Sequence, residues 1–295
     1  MIPIIWHGQE EGRGYYNVTA MLNDLFDKHI CEHFGAWRRM PEGIDGGVVI
    51  VHGSREQGRI EKLNLDIQQL KWVLLIFVGD EEASFPAEMV KHSNKIAWVQ
   101  EPHPTRSAFA DRLIINGCSH GYRKFLDFTI SEKDLDWVFA GQVTHERRRA
   151  CTNALAGIDW GGVIVETKGY CQGVSREEYF RLLMRAKIVP CPSGPMAQDT
   201  ARPWEALECG AIPILDDFTP ERREPGFWKM LLGSSHPFPV ITDWSTLPQV
   251  INDVKGDWEY RSNICQEWWR SYKRDFEANF VSDVKALKEI ACTKT

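Results

Sequence analysis

Three side chains in one short stretch could handle a charged, hydroxyl-bearing ligand. They are Arg202, Glu205 and Glu208, within YFRLLMRAKIVPCPSGPMAQDTARPWEALECGAIPILDD at residues 179–217. The stretch reads as a helix, a buried strand, a Pro/Gly/Ser loop, a second helix opening on Arg202, and another buried strand. Loop and helix start lie side by side, so free backbone N–H groups and the helix dipole make a site for phosphate. Ser193 and Gly194 in the loop add hydroxyl and backbone contacts, and Arg202 adds a bidentate cation. Glu205 follows within a turn and Glu208 three residues later, on the same face. A carboxylate offers two acceptor oxygens to a cis-diol. A cation for a diphosphate beside a carboxylate for ribose hydroxyls describes a nucleotide-sugar site.

The order strand, C-P-S-G loop, then R-P-W-E-A-L-E-C-G-A-I-P-I-L-D-D resembles the C-terminal signature of exostosin-type glycosyltransferases. Upstream, V-F-A-G-Q at residues 138–142 and the run Arg147, Arg148, Arg149 resemble that family's strand, glycine turn and arginine. The resemblance covers the C-terminal half; the N-terminal half matches only in general layout. It implies a GT-B fold, with two Rossmann-like domains facing a central cleft, and sugar transfer from a nucleoside-diphosphate donor, UDP first among them. It also implies Arg202 as diphosphate partner, one of Arg147–Arg149 as a second (Arg147 stands closest to the glycine turn), and Glu205 on the ribose, with Glu208 as the alternative.

The elements that must position these groups show as short apolar runs between helix-length stretches. In the first half the runs fall at residues 2–6, 48–51, 73–78, 96–99 and 113–115, with a helical spacing of Ile60, Leu63, Ile67 and Leu70. Fully apolar strands of this kind are parallel and covered on both faces, which gives an α/β layered domain. Residues 131–136 are polar and are expected to connect two domains, 1–131 and 132–256. Strands restart at 137–140 and 162–165, then 188–190, 212–215 and 239–241. Ser175 with Glu178 forms a capping box for a helix over 177–186. Residues 257–295 read as helices, and in the GT-B layout such a terminal segment returns to the first domain. Ligands of open α/β sheets bind at the carboxyl ends of strands, where the polar loops of this chain sit.

Transfer with inversion needs a base for the attacking hydroxyl. It is expected from the first domain, at Asp80 or Glu81 after the 73–78 strand, which is expected to be central. Glu82, Glu101, His103, Glu10 and Glu11 are the other candidates, and His7 and His52 end strands as structural histidines. No cofactor is expected beyond the donor. Metal-free transfer is expected because positive groups already face the diphosphate and no His/Cys/carboxylate set has ligand spacing. It rests also on taking the chain to lack an Asp-x-Asp pair; Asp216 and Asp217 are adjacent and would point two ways. Gly12-Arg13-Gly14-Tyr15-Tyr16-Asn17 has Asn17 where a dinucleotide loop needs a third glycine, so that fingerprint fails and a nicotinamide enzyme is a poor fit.

The chain has 295 residues, 43% hydrophobic and 26% charged, the make-up of a globular protein of one or two domains. A net charge of −6 gives no overall pull toward nucleic acid. Trp37, Arg38, Arg39, Arg55 and Arg59 still leave a hydroxymethylated pyrimidine in DNA, as in phage DNA glycosyltransferases, open as acceptor beside a glycan. Twelve Trp are read chiefly as core, and eight scattered Cys as free thiols of a reducing cytosol. The N-terminal apolar run is too short for a signal peptide, and nothing reaches the ~18 apolar residues of a membrane span. A cytoplasmic enzyme is therefore expected, unlike Golgi-anchored exostosins. A nucleotide-sugar or glycan-binding protein without catalysis is the alternative.

Overall fold

The computed structural model describes residues 1–7, 20–29, 31–36, 40–52, 59–81, 85–103, 108–127, 129, 132–169 and 172–293. The chain divides into two units, Met1–Asn116 with Lys273–Thr295, and Gly117–Tyr272.

The first unit contains β1 (Ile2–His7), α1 (Ala20–Lys28), β2 (Cys31–Ala36), β3 (Gly46–His52), α2 (Ile60–Ile67), β4 (Trp72–Val78), β5 (Lys95–Gln100) and β6 (Arg112–Ile114). They form one sheet in the order β2-β1-β3-β4-β5-β6, and every pairing is parallel. β3 and β4 are buried along their whole length and occupy the middle, as the uniform apolar run at 73–78 requires. α1 and β2 were not expected. β2 reads Cys-Glu-His-Phe-Gly-Ala, with no apolar run, because it is an edge strand paired on one side to β1. The end of the last helix docks here through Asp283. Its carboxylate accepts from Trp98 Nε1 at 2.8 Å and takes the Arg112 guanidinium in a fork at 2.7 and 2.8 Å.

The second unit runs β7 (Leu135–Gln142), α3 (Glu146–Ala156), β8 (Gly162–Thr167), α4 (Arg176–Arg185), β9 (Ala186–Cys191), α5 (Ala201–Glu208), β10 (Ile212–Asp216), α6 (Phe227–Leu232), β11 (Val240–Ile241) and α7 (Leu247–Gly256). α8 (Trp258–Thr293) begins in this unit and ends in the first. The sheet order is β11-β10-β9-β7-β8, again all parallel. The chain leaves β7 to one side for β8 and returns on the other for β9. That reversal opens a crevice at the carboxyl ends of β7 and β9. Ser175 caps α4, its Oγ accepting from Glu178 N at 3.1 Å.

The second unit starts at Gly117, where the sequence placed the boundary after residue 131. The reason is packing. The 3₁₀ turn Tyr122–Phe125 buries Tyr122 and stacks Phe125 on Phe180 of α4 at 5.8 Å, with their rings nearly parallel. The described part of the polar run that suggested a linker, residues 132–136, leads directly into β7. The expected break at residue 257 also lies elsewhere: α8 is a single helix, and the division falls inside it, after Tyr272.

Trp98, Trp204, Trp228, Trp244 and Trp269 are fully buried, the core use expected of most tryptophans here. Cys118, Cys151, Cys191, Cys209 and Cys265 are buried free thiols, and burial pushes Cys191 up to about 12. Among the described residues no helix is long and apolar enough to cross a membrane.

Candidate functional site

At the crevice of the second unit, α5 starts at Ala201 with Thr200 before it in extended conformation, and no side chain caps its first turn. α3 starts at Glu146 after His145, likewise extended and without a side-chain cap. Two helix N-termini thus present free backbone N–H groups at the ends of the strands, an arrangement that favours an anion.

Arg202 lies in the first turn of α5. Its guanidinium reaches back under β7: Nη2 donates to the Ala140 carbonyl at 3.2 Å, and the cation sits 5.0 Å from the Phe139 ring centroid. Gly141 makes this possible. A Cβ there, at φ 158°, would stand 2.3 Å from Arg202 Nη2. The glycine of the V-F-A-G-Q turn is therefore a packing requirement of the arginine. Arg202 Nε and Nη1 are buried and have no hydrogen-bond partner among the described residues.

The loop after β9 supplies the opposite wall. Ser193 is fully buried, and its Oγ has no partner among the described residues. Its carbonyl accepts from Arg148 Nε at 3.0 Å and from His145 Nε2 at 3.1 Å. Gly194 closes the loop, its N–H donating to the Ala197 carbonyl at 2.8 Å. Thr200 Oγ1, Gln198 Oε1 and His145 Nδ1 are also buried without partners among the described residues. Burial, reinforced by the neighbouring Arg148, holds His145 below its usual value of 6.5, so its neutral form is favoured.

Of the arginine run, Arg147 is committed within the fold. Its Nε donates to Asp216 Oδ2 at 3.1 Å, its Nη2 pairs with Asp216 Oδ1, and its Nη1 donates to the Thr242 carbonyl at 3.0 Å. Asp216, fully buried at the end of β10, also accepts from Trp244 Nε1 at 3.0 Å and Ser193 N at 3.4 Å. Arg148 binds the loop carbonyl, and Arg149 pairs with exposed Glu166 at 3.4 Å. Asp217 turns the other way, to the Gly226 N–H at 2.6 Å, as adjacent residues on a strand end must.

Glu205 is 5% exposed. Its Oε1 accepts from Ser119 Oγ at 2.5 Å and Ser119 N at 3.3 Å, and its Oε2 from Tyr179 OH at 2.9 Å. The carboxylate expected on a ribose thus ties α5 to α4 and to the entry segment of the unit. Glu208 accepts from Trp269 Nε1 at 2.9 Å.

The chain does carry one Asp-x-Asp pair, Asp134 and Asp136, which corrects a premise of metal-free transfer. The pair lies at the amino end of β7, opposite the site. Asp134 forks with Arg185 at 2.8 and 2.5 Å, and Asp136 binds Lys187 at 2.9 Å and Lys255 at 2.6 Å. Among the described residues no group of His, Cys, Asp and Glu is arranged to hold a metal ion.

In the first unit, Asp80 and Glu81 follow β4. Gly79, with φ 64° and no room for a Cβ against His52, turns the chain there. Asp80 Oδ2 accepts from Phe85 N at 3.0 Å, and Glu81 is exposed. Glu101 follows β5 with a left-handed φ of 56° and is 5% exposed. His7, at the end of β1, contacts Asp66 at 2.9 Å, and both are buried, a structural pairing. Glu10, Glu11, the 12–17 loop, Glu82, Trp37, Arg38, Arg39 and Arg55 lie outside the described residues.

Two solved structures are similar to the whole chain at low level. Anabaena Alr3699/HepE in complex with UDP and glucose is 11% identical, with 99% of each chain covered and a TM-score of 0.43. An alpha-glucosyltransferase in complex with UDP and a 13-mer DNA with a central A:G mismatch is 11% identical, covering 95% of this chain and 98% of that one, with a TM-score of 0.44. TM-scores below 0.5 leave both as likenesses only. No curated protein matches the chain by sequence. Residues 166–287 match the family profile described as RXYLT1 C-terminal domain, an exostosin-like family. That segment spans the C-P-S-G loop and the R-P-W-E helix, so the resemblance read from those residues is borne out.

Proposed function

We propose that the chain is a glycosyltransferase that binds a nucleoside-diphosphate sugar, with UDP as the nucleotide, in the second unit and moves the sugar to an acceptor hydroxyl. One observation carries the reading: at a helix N-terminus, Nε and Nη1 of the half-buried Arg202 are themselves buried and have no partner among the described residues. A buried donor left without an acceptor is costly. Acceptor oxygens of a ligand anion, one facing Nε and another facing Nη1 on the other side of the guanidinium, would satisfy both as charge-assisted hydrogen bonds.

In this reading Arg202, the start of α5 and Ser193 Oγ hold the diphosphate and stabilise the charge that grows on it as the glycosidic bond breaks. Arg147 supports them from behind by fixing Asp216, which holds the Ser193 backbone. Glu205 keeps lone pairs for ribose beyond its bonds to Ser119 and Tyr179, with Glu208 next to it in line for that role. A carboxylate of the first unit, Asp80 or Glu81, takes the proton of the attacking hydroxyl, and the sugar inverts. Positive groups at the diphosphate support transfer without a metal ion. The acceptor is a glycan hydroxyl or a hydroxymethylated pyrimidine of DNA; salt-sensitive retention on DNA would mark the second.

Calorimetric titration with UDP, followed by release of free sugar from UDP-sugars, tests the reading. Saturable UDP binding and UDP-sugar turnover are expected. Absence of nucleotide binding across the common sugar-nucleotide donors would overturn it.

A further inference from the structure

We infer that Gln198 and His145 are acceptors for protons of the donor, so that the site selects a sugar nucleotide over a bare diphosphate. The inference rests on the second unit's crevice being the donor site, and goes on from it by pairing each buried orphan group with the ligand chemistry that would satisfy it.

The orphan groups are of two kinds. Arg202 Nε and Nη1 can only donate, and the hydroxyls of Ser193 and Thr200 can rotate to donate. An anion made of phosphate oxygens satisfies all of these. Gln198 Oε1 can only accept. Its orientation is fixed, because the amide nitrogen of Gln198 donates to the Asp217 carbonyl at 3.2 Å, which leaves the oxygen on the other side. Gln198 is 2% exposed, so water does not serve that oxygen cheaply. His145 Nδ1 is constrained in the same way. Nε2 faces the Ser193 carbonyl at 3.1 Å and must carry the proton, so Nδ1 of the neutral ring offers a lone pair. The ring's other charged neighbours are Arg147, Arg148 and Asp216, and the net effect keeps it neutral.

The acceptors stand on the segments that carry the donors: Gln198 in the β9–α5 connection with Ser193 and Thr200, and His145 at the start of α3, bound to Ser193. His145 contacts Ser193, Ser193 N contacts Asp216, and Gln198 contacts Asp217 and stands next to the Gly194–Ala197 loop closure. The doubly esterified diphosphate of a sugar nucleotide, ionised near neutral pH, brings no protons to them, and pyrophosphate brings at most one. A ligand that satisfies the whole crevice therefore presents hydroxyl or imide N–H groups beside its phosphates. The sugar, the ribose and a uracil ring all supply such protons.

The experiment is a set of calorimetric titrations with UDP-glucose, UDP-N-acetylglucosamine, GDP-mannose and inorganic pyrophosphate. They are run on the wild type, Gln198→Met and His145→Phe. At least one sugar nucleotide should bind the wild type roughly tenfold or more tightly than pyrophosphate, the worth of one or two buried hydrogen bonds. Each variant should lose about that factor for the sugar nucleotide while keeping pyrophosphate affinity within roughly twofold, which also shows that the crevice is folded. Equal wild-type affinity for pyrophosphate and every sugar nucleotide would overturn the inference and leave an anion site. So would a variant that weakens both ligands alike, which would make Gln198 or His145 structural. Failure of the wild type to bind any of the four would instead bring down the donor-site reading itself.

Discussion

Replacing Arg202 with methionine should make the free protein more stable and the enzyme nearly inactive. Among the described residues the native guanidinium makes one hydrogen bond, to Ala140 at 3.2 Å, and rests on Phe139, while Nε and Nη1 have no partner. A buried unsatisfied donor costs about 1–3 kcal/mol, so two such nitrogens hold roughly 2–6 kcal/mol against folding. Methionine fills a similar volume and packs on Phe139 without that cost; the lost Ala140 contact and residual exposure of the arginine reduce the gain. A net rise of roughly 1–2 kcal/mol corresponds to about 2–4 °C or more in melting temperature for a domain of this size. With ligand the sign reverses. Removing the Nε and Nη1 contacts to the leaving diphosphate should cost on the order of 10²-fold or more in turnover, about 2.7 kcal/mol. Thermal melts with and without UDP, beside a UDP-sugar turnover assay, read both effects. The wild type should gain stability from UDP and Arg202→Met should not. A folded Arg202→Met protein that melts lower than wild type and turns over normally would show instead that Arg202 is structural.

Glu205→Gln should raise the donor dissociation constant more than it slows turnover, and should lower the melting temperature, because the amide puts a donor against Ser119 or Tyr179; unchanged donor affinity would move the ribose role to Glu208. Activity should survive EDTA, since the one Asp-x-Asp pair is bound to Arg185, Lys187 and Lys255; loss in EDTA restored by Mg²⁺ or Mn²⁺ would contradict metal-free transfer. Of Asp80→Asn and Glu81→Gln, one should lose ~10²–10⁴-fold in transfer while UDP affinity holds. Wild-type turnover in both would send the search to Glu101, whose left-handed backbone marks a position held against strain.

The strands that carry the site were legible because burial on both faces writes a continuous apolar run, as in WVLLIFV of β4 and IPILD of β10. β2 escaped because an edge strand has no such need, and α1 because its apolar stripe is short and mixed with Asp and Asn. The places of Arg202 at a helix start and of Ser193 in the loop before it were legible from the sequence pattern, and the family resemblance singled out Arg202. The commitment of Arg147 to Asp216, and of Glu205 to Ser119 and Tyr179, was not: these partners stand 69, 86 and 26 residues apart, and only the fold brings them together. Thr200 carried a faint signal, as a threonine at a helix start that could cap it and does not. Gln198 and His145 carried none, since their orphan atoms appear only once the amide and the ring are oriented by partners elsewhere in the chain.

The most direct test of the donor site is a crystal structure of the protein soaked with UDP. The diphosphate should lie at the start of α5, with ligand oxygens about 2.7–3.0 Å from Arg202 Nε and, separately, from Nη1. UDP bound elsewhere, with those two nitrogens still unpartnered, would take the donor site away from α5.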